Sequence, residues 1–167
     1  MAELDKISET KVKHDGIFDF KEVYRFLYTM FVDYEYSVEE ITYGEKASPA
    51  KGKEIEFFWI AKRKISDYFR FRIKVEFRIL GMNDVEVTKD GVKSKANKGS
   101  LEVKFICYLE KDYEHRWEST AFLKFLRGLY DNYIIKGRIE AYEDKVFEEM
   151  NDFANQIKAF LVLEARR

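Results

Sequence analysis

The sequence predicts an α+β domain in which an antiparallel meander sheet of five or six strands carries its helices on one face. The clearest observation is the stretch 69–79, where every odd position is apolar and every even position is charged. Such alternation is typical of a strand with one buried face. Further strand-like stretches on either side are joined by short turn signals, as in a meander. Amphipathic helical patterns stand near the N-terminus and over the last third of the chain.

The 167 residues are consistent with a single domain over 1–167, with 1–15 as a weak first strand or a partly mobile segment. The single cysteine, Cys107, excludes an intrachain disulfide and fits a reducing compartment. No apolar run approaches the ~20 residues that span a bilayer. We therefore expect a cytoplasmic protein. A net charge of −1 gives no general reason to bind nucleic acid, and the many charged residues are typical of heat-adapted proteins.

Local signals place the first elements. A turn is predicted at 15–16, and a helix then starts at Asp19, which can act as N-cap, with Glu22 placed for a capping box. Strands are predicted at 38–46, 54–62, 69–79, 84–88 and 101–109, and turns at 64–67, 81–84 and 89–91. The loop 47–53 contains Pro49 and Gly52, and the polar segment 92–99 is predicted to be mobile.

Two amphipathic helical segments are predicted at the C-terminal end. The first follows a cap at Ser119 or Thr120 and carries Phe122, Phe125, Leu126, Leu129 and Tyr133. The second carries Ile139, Tyr142, Val146, Met150, Phe153, Ile157 and Phe160. At helical pitch their apolar directions differ by about 220°. This indicates a break between residues 132 and 137, most simply at Gly137; one unbroken helix that serves two partners is the alternative.

This order of elements, with an early helix, a meander and a long last helix, resembles the helix-grip arrangement of START and Bet v 1 lipid-binding proteins. The two adjacent C-terminal segments differ from the single closing helix of that arrangement. The resemblance implies a sheet–helix cavity that could hold a hydrophobic small molecule. It is a resemblance of element order, and no motif of that family stands in the sequence.

A basic face on the central strand is the first candidate site. It consists of Arg70, Arg72, Lys74 and Arg78, with Trp59 on the preceding strand. Cations beside aromatic rings on a sheet are typical of single-stranded RNA binding. Glutamates on the neighbouring strands offer a simpler interpretation, an ordinary salt-bridged sheet face. A protein-binding face is the third possibility.

Two further candidates lie in the C-terminal half. Glu140, Asp144, Glu148 and Asp152 recur at spacing four and form either a solvated face or a docking surface for a basic partner. If the last strand continues past Leu109, then Tyr113, His115 and Trp117 line the mouth of a pocket. His115 could then act as a general acid or base. Two histidines exclude a multi-histidine metal site, and no motif indicates a cofactor.

These observations favour a non-enzymatic binding or adaptor protein that acts through surface contacts with a protein or ribonucleoprotein partner, or with a second copy of itself. A carrier of a hydrophobic small molecule is the first alternative. An enzyme that uses the His115 neighbourhood is the second.

Overall fold

The computed structural model describes residues 3–166, apart from the side chains at positions 42, 43, 46 and 48, and it has an α+β fold. Five strands form one sheet in the order β1-β5-β4-β3-β2, and every neighbouring pair is antiparallel. The fold class predicted from the sequence is therefore confirmed. In chain order the elements are β1 (Glu3–Phe18), α1 (Phe20–Asp33), β2 (Ser37–Ser48), β3 (Gly52–Lys64), β4 (Phe69–Lys89), β5 (Val92–Lys111), α2 (Ala121–Leu129), a π-helical turn (Tyr130–Ile134) and α3 (Lys136–Arg166).

The core lies between the inner face of the sheet and the helices α1 and α3. The odd residues of β4 from Phe69 to Ile79 are all buried, as their alternation predicts. Asp19 caps α1 by accepting hydrogen bonds from the backbone N–H groups of Lys21 and Glu22. The helices contribute the buried side chains Val23, Leu27, Met30 and Phe31 from α1 and Val146, Met150, Phe153, Ala154, Ile157 and Leu161 from α3.

The turns predicted at 15–16 and 81–84 are wrong, because both segments lie inside long strands. Their glycines belong to a band in which neighbouring backbones approach closely. A Cβ atom on Gly52 would lie 2.9 Å from the carbonyl carbon of Gly81, and one on Gly99, the pairing partner of Gly16, would lie 3.0 Å from the Leu80 carbonyl oxygen. The registers of β3 with β4 and of β4 with β5 shift in the same band. Glycine therefore marks strand irregularities here and not chain reversals.

Two segments with a weak strand signal or none, the first predicted as a weak strand or a partly mobile segment and the second as mobile, are also paired strands. β1 pairs with β5 over its whole length, so residues 3–15 are not a loose extension of the fold. Residues 92–99 continue β5 and pair with β4 down to a tight reversal between Lys89 and Val92. Their polar side chains gave no apolar alternation, but backbone pairing with neighbouring strands does not require it.

The predicted break between the C-terminal helical segments is present, although at a different residue. After the π-helical turn the chain leaves helical geometry at Ile135, which has φ −113°. Its N–H donates to the Tyr130 carbonyl, and its own carbonyl accepts from Arg138 and Ile139. Gly137 lies within α3. Because Ile135 is buried, packing of an apolar side chain holds the break, and the conformational freedom of glycine is not needed.

Candidate functional site

The helix α2 turns its apolar side away from the protein body. Thr120 caps it by accepting a hydrogen bond from the Leu123 N–H at 3.2 Å. Large apolar side chains on this helix and the π-helical turn are exposed, and we call the five of them the α2 stripe: Phe122 (67%), Phe125 (62%), Leu129 (41%), Tyr133 (81%) and Ile134 (71%). A helix at the surface normally places such a stripe against the core. The exposure of the α2 stripe is therefore unusual for a helix at the surface of a protein.

Arg127 is the residue that faces inward from α2, and it is 8% exposed. Its guanidinium donates to Glu3 Oε2 on β1 at 2.6 Å and to the Tyr68 hydroxyl at 3.2 Å. It also lies 3.8 Å from Asp131 Oδ2 and 3.9 Å from Asp112 Oδ2. Arginine suits this position because its planar fork can satisfy several acceptors at once.

Lys111, at the end of β5, is the second buried cation beneath α2. Its ammonium lies 2.8 Å from Asp5 and 3.9 Å from Asp131. Tyr68 links the two halves, because its hydroxyl donates to Asp131 Oδ1 at 2.7 Å. We call these seven side chains the charge cluster: Glu3, Asp5, Tyr68, Lys111, Asp112, Arg127 and Asp131.

The environment of the charge cluster favours its ionised form. Burial by itself would lower the pKa of Arg127, but the hydrogen bond with Tyr68 and the charges of Glu3 and Asp131 outweigh it and raise that pKa. Burial likewise opposes the charge on Lys111, and its hydrogen bond to Asp5 reverses the effect and raises the pKa of Lys111. Both cations therefore stay charged at neutral pH.

The cluster is satisfied within the protein. Among the described side chains no buried nitrogen or oxygen lacks a hydrogen-bond partner. In the same part of the chain no group of His, Cys, Asp or Glu side chains is arranged to hold a metal ion. The charge cluster therefore acts as a clamp that attaches α2 to the sheet by its polar side. The consequence is that the α2 stripe points outward.

The basic face of β4 is largely paired. Arg70 makes a two-pronged contact with Glu110 at 2.7 and 2.8 Å, and Arg78 contacts Glu56 at 2.6 Å. Lys74 contacts Glu76 at 2.8 Å. Arg72 makes no ion pair with the described residues and is the cation of this face that remains available to a partner.

Trp59 does not belong to this face, which corrects its assignment from sequence. It is 1% exposed, and its ring packs 4.8 Å from that of Phe77 in the core. Its indole N–H donates to Glu40 at 3.1 Å. In the run of four apolar residues at 57–60, strand alternation sends Phe57 and Trp59 inward, so only Phe58 and Ile60 reach the outer face.

The acidic residues of α3 remain a candidate docking surface. Glu140, Asp144, Glu148 and Asp152 are all exposed, and none of them forms an ion pair with the described residues. They lie opposite the buried side of α3, as the helical spacing predicts.

The predicted pocket of Tyr113, His115 and Trp117 does not form, because β5 ends at Lys111 and the chain turns. Asp112 and His115 adopt positive φ, and Asp112 accepts backbone hydrogen bonds from Arg116 and Trp117. Tyr113 donates to the Ser66 carbonyl at 2.7 Å, and Trp117 stacks on Tyr130. His115 is exposed and lies 3.2 Å from Glu118. These side chains brace the connection to α2 and do not converge on a common space.

Sequence reasoning missed the charge cluster. At helical pitch Arg127 points about 200° away from Phe125, so its position opposite the stripe could have been predicted from the sequence. Glu3 and Asp5 occupy the inner face of β1, where paired charges are less common than apolar residues. The missing information was that these acids and Arg127, far apart in sequence, meet at one end of the sheet.

Comparisons with protein-family models, with curated proteins and with solved structures found no match for this chain. Among residues 3–166, no helix combines the length and the apolar character needed to cross a membrane. The interpretation of function therefore depends on the α2 stripe, the charge cluster and the acidic residues of α3.

Proposed function

We propose that this chain is a non-enzymatic binding protein that acts by docking the α2 stripe on another polypeptide. The observation that carries the proposal is the exposure of five large apolar side chains on one helix and the turn after it. Contiguous exposed apolar patches of several hundred Å² normally mark interaction sites in soluble proteins. Aromatic side chains, which supply three of the five, are enriched at the energetic centres of interfaces.

The clamp supports this interpretation because it fixes the direction of the stripe. If α2 rotated to bury Phe122 and Phe125, Arg127 would leave its polar partners in the charge cluster. Removing one partner from a buried charge network leaves the remaining groups unsatisfied, which costs about 1–3 kcal/mol. The outward orientation is therefore maintained by specific contacts, and the stripe is preformed for binding.

The same geometry ranks the alternatives. Rings fill the layer where a carrier would hold its ligand: Phe31 lies 4.7 Å from Phe153, and Phe57 lies 4.2 Å from Phe77 between ring centroids. The exposed, singly paired His115 offers little support for acid–base catalysis. The paired cations of β4 favour a polypeptide over RNA as the partner, and any RNA binding through them should fade as salt rises.

Site-specific photocrosslinking in the native cells tests the proposal. A photoreactive amino acid replaces Phe125 on the stripe, and the matched control carries it at Val92, which is 67% exposed on the β4–β5 hairpin. We expect one defined polypeptide, this chain or another, to be linked at position 125 and not at 92. Direct binding of that polypeptide to the purified chain should be lost with Phe125→Glu. Equal linking at both positions would contradict the proposal.

A further inference from the structure

We infer that the partner of the α2 stripe is a basic amphipathic segment of another polypeptide. Its apolar side chains cover the stripe, and a lysine or arginine enters the pocket that Glu140 and Glu143 line beside Tyr133. This inference rests on the proposed function and states the chemistry of the partner for the same surface. Three observations carry it: the pocket adjoins the stripe, its carboxylates outnumber its cations, and the stripe alone is too small for a standard interface.

The pocket lies where the π-helical turn and the start of α3 meet the ends of β1 and β5, and its volume is about 490 Å³. We call it the acidic pocket and define it by the charged residues that line it: Asp5, Lys111, Asp131, Lys136, Glu140 and Glu143. Tyr133, the most exposed residue of the α2 stripe, also lines this pocket. The stripe and the pocket therefore form one continuous surface, apolar along α2 and acidic beyond the π-helical turn.

The charge of the acidic pocket favours a cationic occupant. Four carboxylates face two ammonium groups, and the one on Lys111 is already held by Asp5 at 2.8 Å. Glu140 and Glu143 make no ion pair with the described residues. Burial raises the pKa of Glu143, and the charge of Asp5 raises it further. A lysine or arginine of a partner would relieve this repulsion, and its attraction to the carboxylates is stronger here than at an open surface because they are partly withdrawn from water.

The area of the α2 stripe shows that a partner must reach beyond it. The exposed parts of its five side chains amount to roughly 600 Å², given that aromatic side chains can bury about 150–250 Å² each. A standard interface buries about 800 Å² per partner, and its apolar centre is surrounded by a polar rim. The acidic pocket is the polar surface next to Tyr133. A purely apolar partner of standard size would cover Glu143 and Asp5 without supplying a counter-charge, which is unfavourable.

Other partners fit this surface less well. Glu140 is exposed only six residues after Ile134, and Asp144 follows one turn later. These carboxylates would repel an anionic bilayer or the phosphates of RNA as either approached the stripe. A second copy that offered its own α2 stripe would place no cation in the acidic pocket, because none of the five stripe residues is basic.

Photocrosslinking at the junction of stripe and pocket provides the probe. A photoreactive amino acid replaces Tyr133 in the native cells, and mass spectrometry locates the linked residue in the partner. We expect the same partner as at position 125, linked in an apolar stretch with a lysine or arginine about one helical turn away. That segment, made as a labelled peptide, is then titrated with the purified chain in fluorescence polarisation. A linked segment without a basic residue would contradict the inference.

Two matched double variants test the charge of the acidic pocket. Glu140→Gln with Glu143→Gln should weaken binding of the peptide about tenfold, as expected for the loss of two partly exposed ion pairs. It should also make the affinity less sensitive to salt. Glu148→Gln with Asp152→Asn removes the same charge from α3 outside the pocket and should leave the dissociation constant within about twofold. Equal weakening by the two double variants would overturn the inference.

An exchange of charge is the sharpest test, and it separates a lost contact from a damaged fold. Glu140→Lys should weaken binding of the peptide, and the fold should tolerate it because Glu140 is exposed. A second peptide, with glutamate in place of its basic residue, should bind Glu140→Lys about tenfold more tightly than it binds the wild type. Glu148→Lys is the control and should show no such preference. Failure of the second peptide to prefer Glu140→Lys would mean that the basic residue does not enter the pocket.

The outcomes separate the two proposals. A partner that is linked at positions 125 and 133, but whose affinity does not change in Glu140→Gln with Glu143→Gln, overturns the basic partner and leaves the proposed function standing. A second copy of this chain linked through its own α2 stripe does the same. Nothing linked at either position overturns both. A chain that instead floats with anionic vesicles through Phe125 also overturns both, in favour of a lipid surface.

Discussion

The helices α2 and α3 are both amphipathic, and they attach to the same sheet by opposite sides. α3 buries Val146, Met150, Phe153 and Ile157 against the core and exposes its acidic residues. α2 buries Arg127 and exposes the α2 stripe. The first is held by the hydrophobic effect, which has no preferred partner. The second is held by a few directional contacts, which specify one orientation.

The difference shows that an amphipathic pattern fixes which residues share a helix face and leaves open which face is inward. For α3 the sheet offers an apolar surface, so the apolar side is buried. At the end of the sheet, where α2 lies, the neighbouring side chains are Glu3, Asp112 and Tyr68, so the cationic side is favoured. The partner surface decides the orientation, and the apolar stripe of α2 becomes available for another chain.

The largest expected effect comes from truncating matched phenylalanines on the two helices. Phe153→Ala should reduce the free energy of unfolding by about 3–5 kcal/mol, because its ring contacts Phe31 and Tyr34 in the core. Phe122→Ala should change it by less than about 0.5 kcal/mol, because that ring is exposed. Urea unfolding at low protein concentration, where self-association does not contribute, measures both. Equal losses for the two variants would show that the stripe is packed in the monomer.

A smaller and more local effect is expected at the clamp. Arg127→Met should cost about 1–3 kcal/mol, since hydrogen bonds between charged groups are lost. It should also increase hydrogen exchange over residues 121–129, while exchange in the centre of β4 stays slow.

Arg127→Lys is the control for the clamp, because it keeps the charge and loses the planar fork. We expect exchange over residues 121–129 to lie between that of the wild type and that of Arg127→Met. If Arg127→Met left this exchange unchanged, the clamp would not be what holds α2.

Thiol labelling of Cys107 tests whether loosening α2 also opens the core that α3 covers. Its thiol is buried on the inner face of β5, and burial raises its pKa, so thiol labelling of the folded protein should be slow. Phe153→Ala should speed the labelling because it loosens the core that covers the thiol. Arg127→Met should not, because α2 lies at the end of the sheet. Labelling of the wild type as fast as in denaturant would show that the core opens readily.

Much of the fold was predictable because its signals are local. Alternation from Phe69 to Ile79 identified the central strand, and Asp19 identified the start of α1. The errors arose where the physical cause is remote in sequence. Gly16 signals a turn when considered alone, and its pairing with Gly99 on the neighbouring strand shows that it lies inside the sheet. Arg127 meets Glu3 only because β1 and α2 adjoin in space. The candidate site depends on such contacts. The sequence therefore predicted that Phe122, Phe125, Leu129 and Tyr133 share one side of the helix, but it did not predict that this side is exposed when the helix is broken.

The smallest expected effect concerns Glu143, which lies on α3 beside the charge cluster. It lines a surface pocket of about 490 Å³ with Asp5, Lys111 and Asp131. Burial, and next the charge of Asp5, raise the pKa of Glu143 above its usual 4.5. The folded state therefore binds the proton more tightly than the unfolded chain, and stability falls as pH rises from 4.5 through the folded pKa.

Glu143→Gln removes that loss and should therefore raise the midpoint of thermal unfolding at pH 7. The gain in the free energy of unfolding should be less than about 1 kcal/mol, because the carboxylate is only partly buried and is screened by water. Below pH 4.5, where Glu143 is protonated in both states, the variant and the wild type should unfold at the same temperature. Glu148→Gln on the exposed side of α3 is the control and should show no such pH-dependent gain. A gain of equal size at pH 4 and pH 7 would mean that the amide improves packing. Repulsion between the carboxylates of Glu143 and Asp5 would then not be the cause of the gain.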